Sequence, residues 1–473
     1  MTRWTWRPAR QAVSDETRSR PPVRLTATVG LAVVALGAGA LAASGALASG
    51  HDKPARQDPH SPAISRGNHG KSGKAQASGG LTPQQIRAAY DLPPLNHLNS
   101  PGALQGITGK GETIVIVDSF GSPTIVRDLA RFDKHFGVPA PPSFRVIHPA
   151  GAPPPFHSSN SNRDGWAGET TLDVEWSHAM APGASILLVE TPTSENEGTT
   201  GFPQIVAAEK YVLRHHEGDV ISQSFAATEQ TFSSRSGYAA IKNLRGAYQL
   251  AARDHVTVLA ATGDDGATGD KYNMVDLYTT RAVSWPATDP LVTAVGGTQL
   301  DLRANGTRIQ PDVVWNDASG SSGGGRSIVF SRPSYQNSVK SVTGNHRGVP
   351  DISMDASCGS QVVIYSSYDG PGLSSICGTS VATPLFAGIV ALADQYAGHP
   401  LGLINPAIYT MEANHEPGIV DVTKGNNSRT FSQDGKRYTV HGFSATKGYD
   451  LASGVGTVNA RYFVPELAAL AGH

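Results

Sequence analysis

Strand-like apolar runs alternate with amphipathic stretches through the middle of this 473-residue chain, and few folds accept that alternation. Residues 184–189 (Ala-Ser-Ile-Leu-Leu-Val) precede an amphipathic stretch over 203–216. Residues 219–225 precede another over 238–253, and a third apolar run follows at 256–262. Strands separated by helices are joined by crossovers, so the pattern predicts an α/β fold: a mostly parallel central sheet flanked by helices on both faces. No internal repeat is present, and most of the 52 Gly and 32 Pro fall between the periodic runs, as a loop-rich domain requires.

The first 80 residues read differently. Arg18, Arg20 and Arg24 precede an uncharged apolar run from Leu25 to Leu47. It is long enough to span a bilayer. It is dominated by Ala and Gly, however, and ends in Ala46-Leu47-Ala48, a small-residue cleavage pattern. Residues 1–48 are therefore expected to be a cleaved signal peptide, with membrane contact only during export. Residues 49–80, rich in Gly, Ser, Pro, His and Lys, read as a disordered linker. The remainder, 81–473, forms one domain of roughly 390 residues, large but within the range of single α/β domains. A net charge of −1 with 16% charged residues offers no basic patch for nucleic acid.

The chemistry concentrates in three segments. In Cys377-Gly378-Thr379-Ser380-Val381-Ala382-Thr383-Pro384 a small polar loop runs into an apolar helix. Ser380 then lies at a helix N-terminus, where unpaired N–H groups and the dipole face whatever the hydroxyl touches. Gly378 leaves room for a substrate backbone, and Pro384 is expected in the first turn. The competing reading is a serine that caps a buried helix. A serine nucleophile needs a neighbouring base, and none of the 16 histidines stands in a suitable motif. The alternative base lies in residues 168–182, a helix ended by Ala181-Pro182-Gly183. Glu169 and Asp173, four apart, share a helical face. Like charges so placed raise one pKa and favour a shared proton; such pairs also occur on solvated faces. Glu175 lies off that face as a structural residue, and His178 reads as a core or capping histidine. The third segment is the apolar run 256–262 followed by Gly263-Asp264-Asp265-Gly266. It sets Asp264 at the carboxyl end of a buried strand, where α/β sheets bind ligands. A protonated Asp264 there could donate to an oxyanion; as a turn residue it would have only a local role.

Ser380 lies in a Gly-Thr-Ser-x-x-x-Pro segment that resembles the nucleophile motif of subtilisin-like serine peptidases. Together the three segments resemble the sedolisin, or serine-carboxyl, peptidase family, which uses Glu and Asp in place of the histidine. Further likeness lies in residues 81–90 (Leu-Thr-Pro-Gln-Gln-Ile-Arg-Ala-Ala-Tyr), 286–298, 323–327 and 348–351, so the match runs from about residue 81 to the end. Where the family has Ser or Gly before the Gly-Thr-Ser, this chain has Cys377. The resemblance implies a subtilisin-like fold with Ser380 as nucleophile, Glu169 as general base, Asp173 as its partner and Asp264 as oxyanion stabiliser. Asp118, ending the strand run 114–117, would extend the carboxylate network. It also implies a Ca2+ site from the side chains of Asp421 and Asp450 and the carbonyls of Val422, Thr446 and Gly448, a hard-oxygen set suited to calcium; otherwise the two aspartates cap loops. The family's large pro-domain has no counterpart in residues 49–80.

The two cysteines, Cys358 and Cys377, flank a strand at 361–368 and a turn at 369–372. A hairpin would bring them near each other, and export permits a disulfide. Two buried thiols remain the alternative, because register is not readable here. The resulting expectation is a secreted, monomeric endopeptidase that acts on proteins or peptides at acid pH. The alternatives are a tripeptidyl-type exopeptidase on the same scaffold and an inert binding homologue.

Overall fold

A computed structural model describes residues 79–156, 160–368 and 372–471, all within the unit Arg56–His473. The expected signal peptide (1–48), nearly all of the linker (49–80) and the turn at 369–371 lie outside the described residues. We label the strands of the central sheet β1 (Thr113–Ser119), β2 (Phe144–Ile147), β3 (Ser185–Thr191), β4 (Val220–Gln223), β5 (Thr257–Ala261), β6 (Thr293–Gln299) and β7 (Ile352–Asp355). Their order is β7-β6-β5-β4-β1-β3-β2. Every neighbouring pair in that order is parallel, and Val313–Val314 adds an antiparallel pairing to β6.

Successive side chains of a strand point to opposite faces, and both faces here are covered. Ile114 and Ile116 of β1 enter one hydrophobic core, while Val115 and Val117 enter a second. The same split recurs in β3, with Ile186 and Leu188 against Leu187 and Val189. This is why the strands read as continuous apolar runs rather than alternating ones. The first core is roofed by helices α1 (Ile125–Phe136), α2 (Ser161–Met180) and α6 (Thr379–Ala397). The second is roofed by α3 (Phe202–Arg214), α4 (Arg235–Leu244) and α5 (Gly246–Arg253). The expected amphipathic stretch 238–253 is therefore two helices. They part at Arg245-Gly246, where Arg245 reaches the Asp289 carboxylate with Nε at 2.6 Å and Nη2 at 3.0 Å.

Helix α6 is apolar on all sides, the mark of a helix inside the molecule. Val381, Leu385, Phe386, Ile389, Val390 and Leu392 are all buried. At roughly 2 kcal/mol per side chain, their burial anchors the helix that carries Ser380. Leu385→Ala would cost about 2–5 kcal/mol. α6 runs closely alongside α2: a Cβ on Gly388 would stand 2.4 Å from the Met180 Cβ. Only a glycine permits that approach, which holds the two catalytic-candidate helices together.

The start of α6 differs from the sequence expectation. The cap residue is Gly378, at φ +129°, and no side chain caps the helix. Ser380 is thus the second helical residue and makes no capping bond. Pro384 sits in the second turn rather than the first, inside the helix. Its missing N–H would have bonded the Ser380 carbonyl in the i→i−4 ladder, so that bond is lost. Likewise α2 begins at Ser161, seven residues earlier than expected, with the Asn160 side chain accepting from the Arg163 N–H at 3.1 Å.

Candidate active site

The carboxyl ends of β1, β4 and β5 converge below the N-terminus of α6. Asp118 is the penultimate residue of β1, Ser224 follows β4 directly, and Asp264 lies three residues beyond β5. Glu169 and Asp173 descend from α2. The structure therefore brings together four residues from distant segments, Glu169, Asp173, Asp264 and Ser380, and places Asp118 beside them.

The acidic pair is not on a solvated face. Glu169 is 2% exposed and Asp173 and Asp118 are 0% and 1% exposed. Neither oxygen of Glu169 or of Asp118 has a hydrogen-bond partner, nor does Asp173 Oδ2. An unmade hydrogen bond to a buried polar group costs about 1–3 kcal/mol, so this cluster opposes folding. The other Asp173 oxygen, Oδ1, accepts from the Ser224 hydroxyl at 3.2 Å. Ser224 was not singled out in the sequence, although its place just past a buried strand was readable.

Burial raises the carboxyls of Glu169 and Asp173 well above their ordinary range, and each is raised further by its carboxyl neighbours. For Glu169 the Ser380 hydroxyl works against burial by favouring the ionised form. That hydroxyl faces Glu169 without a closed hydrogen bond, a common looseness in an unliganded site. Burial pushes Asp118 up to about 7, with Glu190 adding to the rise. Three such carboxyls in one pocket titrate as a set.

Asp264 is fixed from two sides. Its Oδ1 accepts from the Thr379 N–H at 2.8 Å and the Thr379 hydroxyl at 2.8 Å. Its backbone is tied by Ser321 N–H to the Asp264 carbonyl, 2.8 Å, and Gly323 N–H to the Gly263 carbonyl, 2.8 Å. Burial raises the carboxyl to about 6 against these hydrogen bonds. Below that pH its second oxygen, Oδ2, is free to carry the proton. A cleft opens here, lined by Ser380, Asp264 and Ser224 among others.

The cysteines form a disulfide, with Cα atoms 5.0 Å apart, so the thiol alternative does not hold. It closes over the hairpin Val362–Ser366 and Gly372–Ile376 and ends directly before Gly378, whose N–H donates to the Ala356 carbonyl at 2.7 Å. Glu175 Oε2 accepts from the Tyr365 N–H at 2.9 Å, and His178 Nε2 lies 2.8 Å from the Pro139 carbonyl. Both are structural, as expected.

Far along the chain, Asp450 Oδ1 accepts from the N–H groups of Ala452 and Ser453 at 2.9 Å each, and its Oδ2 from Thr446 N–H at 2.9 Å. Asp421 Oδ2 accepts from Gly448 N–H at 2.9 Å, while its buried Oδ1 has no partner. Among the described residues no group of three or more His, Cys, Asp or Glu is gathered as a metal site. A cation here would therefore rely on backbone carbonyls beside the two carboxylates. The unpartnered Asp421 oxygen fits that role.

Residues 160–410, more than half of the chain, match the family described as the subtilase family. Kumamolisin of Bacillus sp. (strain MN-32) is 33% identical over 388 residues, 80% of this chain and 61% of its own length. The solved Pseudomonas sedolisin, a serine-carboxyl proteinase, superposes with a TM-score of 0.64 at 26% identity, covering 84% of this chain and 98% of that one. This chain belongs to the subtilase family, in its sedolisin branch. Human tripeptidyl-peptidase 1 is also similar, 29% identical over 80% of this chain and 63% of its own length. The chain thus spans about three fifths of these two curated relatives. The sedolisin match accords with the observed sheet, and with a nucleophile motif that has no histidine partner.

Proposed function

We propose that this chain is an exported serine-carboxyl endopeptidase, acting as a monomer, that hydrolyses peptide bonds in proteins at acid pH. The observation that carries the reading is the buried set of unpartnered carboxyl oxygens of Glu169, Asp173 and Asp118, with Glu169 facing Ser380 at a helix N-terminus. In this reading ionised Glu169 takes the Ser380 proton as Oγ attacks the scissile carbonyl carbon. Asp173, tied to Ser224, keeps Glu169 oriented and shares its proton. The oxyanion receives the Oδ2 proton of Asp264 as a hydrogen bond, while Thr379 holds Oδ1. Glu169 then returns its proton to the leaving amine, which leaves the acyl group on Ser380. Water activated by the same carboxylate releases the acid.

Two catalytic carboxyls in place of a histidine require acid conditions: Asp264 must be protonated while Glu169 is ionised. Calcium, held by Asp421, Asp450 and the carbonyls of Val422, Thr446 and Gly448, would supply charge compensation and cross-linking of these C-terminal loops, away from Ser380. The likeness to tripeptidyl-peptidase 1 supports a second reading, release of tripeptides from free N-termini.

The test is a digest of a peptide library by parent and Ser380→Ala proteins at several pH values. Internal cleavage that vanishes in the alanine protein, with an unchanged melting curve, is expected. Activity retained in a folded Ser380→Ala protein would end the assignment. Products that are all N-terminal tripeptides would select the exopeptidase.

A further inference from the structure

Two ionisable groups beside the catalytic carboxyls have no part in the steps above: Glu190 of β3 and His148, the residue after β2. Asp118 and Glu190 are register partners in the parallel strands β1 and β3. Ile147 of β2 pairs with Val189, so His148 stands next to Glu190. Alternation sets all three side chains on the face that carries Ile114, Ile116, Ile186 and Leu188, the face that α2 covers. Asp118, Glu190 and His148 therefore form one row across the strand ends. The row leads outward: the side chains of Glu190 and His148 are 10% and 39% exposed, and Asp118 is 1% exposed.

Glu190 is firmly placed. Its Oε2 lies 2.7 Å from His148 Nε2, and its carboxyl packs against the turn that follows Asp118. A Cβ on Gly121 would collide with Glu190 Oε1, so the glycine, at φ +74°, is what leaves room for it. Burial raises the Glu190 carboxyl, while His148 and the Ser122 N–H favour its ionised form. Neighbouring strands lie about 5 Å apart, so Glu190 stands one strand from Asp118 and His148 stands two. Coulomb interaction falls with distance, and Asp118 therefore feels the negative charge more than the positive one. From α2 the carboxyls of Glu169 and Asp173 also bear on Asp118. Arg163 of the same helix is turned to Phe120, its guanidinium carbon 5.6 Å from the ring centroid.

We propose that His148 and Glu190 are positioning residues for the catalytic carboxyls: the charge of Glu190, held by His148, keeps the proton on Asp118 and so leaves the ionised form to Glu169. Glu169, Asp173 and Asp118 hold their protons as one set, and loss of one proton leaves one charge to be placed. Only the form with that charge on Glu169 can take the Ser380 proton. A like charge beside Asp118 disfavours its ionisation. Asp118 is accordingly held up at about 7, by burial first and by Glu190 in addition. An ionised Asp118 would act the other way, because its charge raises Glu169. The inference rests on the peptidase reading above.

The experiment compares pH profiles of kcat/KM for the parent and Glu190→Gln proteins on one peptide, with melting curves confirming the fold. Without the Glu190 charge, part of the set's ionised form passes to Asp118. The acid limb should move to lower pH while the maximum falls several-fold, so that the two profiles converge at the acid end. A merely structural loss would lower the rate by the same factor at every pH. A second readout needs no turnover. The 13C resonance of the Asp118 carboxyl, assigned by its absence from the Asp118→Asn protein, should titrate at a pH about one lower in Glu190→Gln. His148→Gln leaves Glu190 without its partner and therefore protonated, and should move both readouts the same way. An acid limb or a resonance unmoved in either folded variant, or a rate lowered by one factor at every pH, overturns the proposal and leaves the peptidase reading intact. If the parent cleaves no peptide, the peptidase reading fails. The Asp118 resonance then decides alone: titration at lower pH in the variants supports the coupling, and identical titration refutes it.

Discussion

Gly378 stands against the carboxyl of Asp264 so closely that a Cβ added to it would lie 2.6 Å from Oδ2. The glycine also adopts φ +129°, where an L side chain is strained. It thus does two things: it turns the chain into α6 and leaves Oδ2 open on the side from which an oxyanion would approach. Gly378→Ala should push Asp264 out of place. A loss of about 100-fold or more in kcat/KM is expected, the size seen when one oxyanion donor is removed. Steady-state kinetics on a variant shown to be folded by circular dichroism provides the check, and activity within twofold of the parent would refute the idea.

The pH profile of activity should be bell-shaped. Asp264 is raised to about 6 by burial, so its proton, and the rate, should be lost as pH rises through that value. The acid limb belongs to the first proton lost by the coupled set of Glu169, Asp173 and Asp118, which in this account must leave below that value although burial raises each member. Asp264→Asn keeps a donor without a titrating proton. It should lose part of the rate and extend what remains towards neutral pH. An alkaline limb that does not move in the Asn variant would remove Asp264 from the oxyanion site.

Stability should also favour acid. Burial pushes Glu209 to about 8 and Asp118 to about 7, far above their ordinary values of 4.5 and 3.8. Between the ordinary and raised values the folded protein holds more protons than the unfolded chain. Unfolding free energy therefore falls as pH rises across that window, by up to about 1.4 kcal/mol for each pH unit and group. Thermal melts in chelator-free buffers should give a higher Tm near pH 5 than near pH 7.5. Glu209→Gln should flatten the slope. A Tm that rises from pH 5 to 7.5 would contradict this account.

Calcium should stabilise the fold without entering the reaction. A ligand bound only by the native state adds about 2.7 kcal/mol at a hundredfold excess over its Kd. Chelation should lower Tm, and Asp421→Ala should lower it to the same extent and abolish the response to chelator. Identical melts before and after verified metal removal would exclude the site.

Much of the architecture was legible because it is local. The strand runs at 184–189 and 256–262 became β3 and β5 nearly in place, and the spacing of Glu169 and Asp173 placed them on one face of α2 as any helix must. Pro384 was misplaced by a turn, because the helix start depends on the backbone of Gly378 and not on the proline. The amphipathic stretch 238–253 is two helices, and at their junction Arg245 meets Asp289, which lies 44 residues further on and so outside any local pattern.

The sequence by itself determined which residues could do chemistry, and in what order they stand along the chain. Periodicity and turn residues act over a few positions, and a linear reading captures them. Tertiary structure alone decided that the acidic pair is buried, that Ser224 meets Asp173, that Cys358 and Cys377 join, and that Glu190 and His148 stand in a row with Asp118. Each of these depends on segments 50 or more positions apart, or on strand register. Desolvation, which turns an ordinary carboxyl into a tuned one, exists only once the core has closed around it.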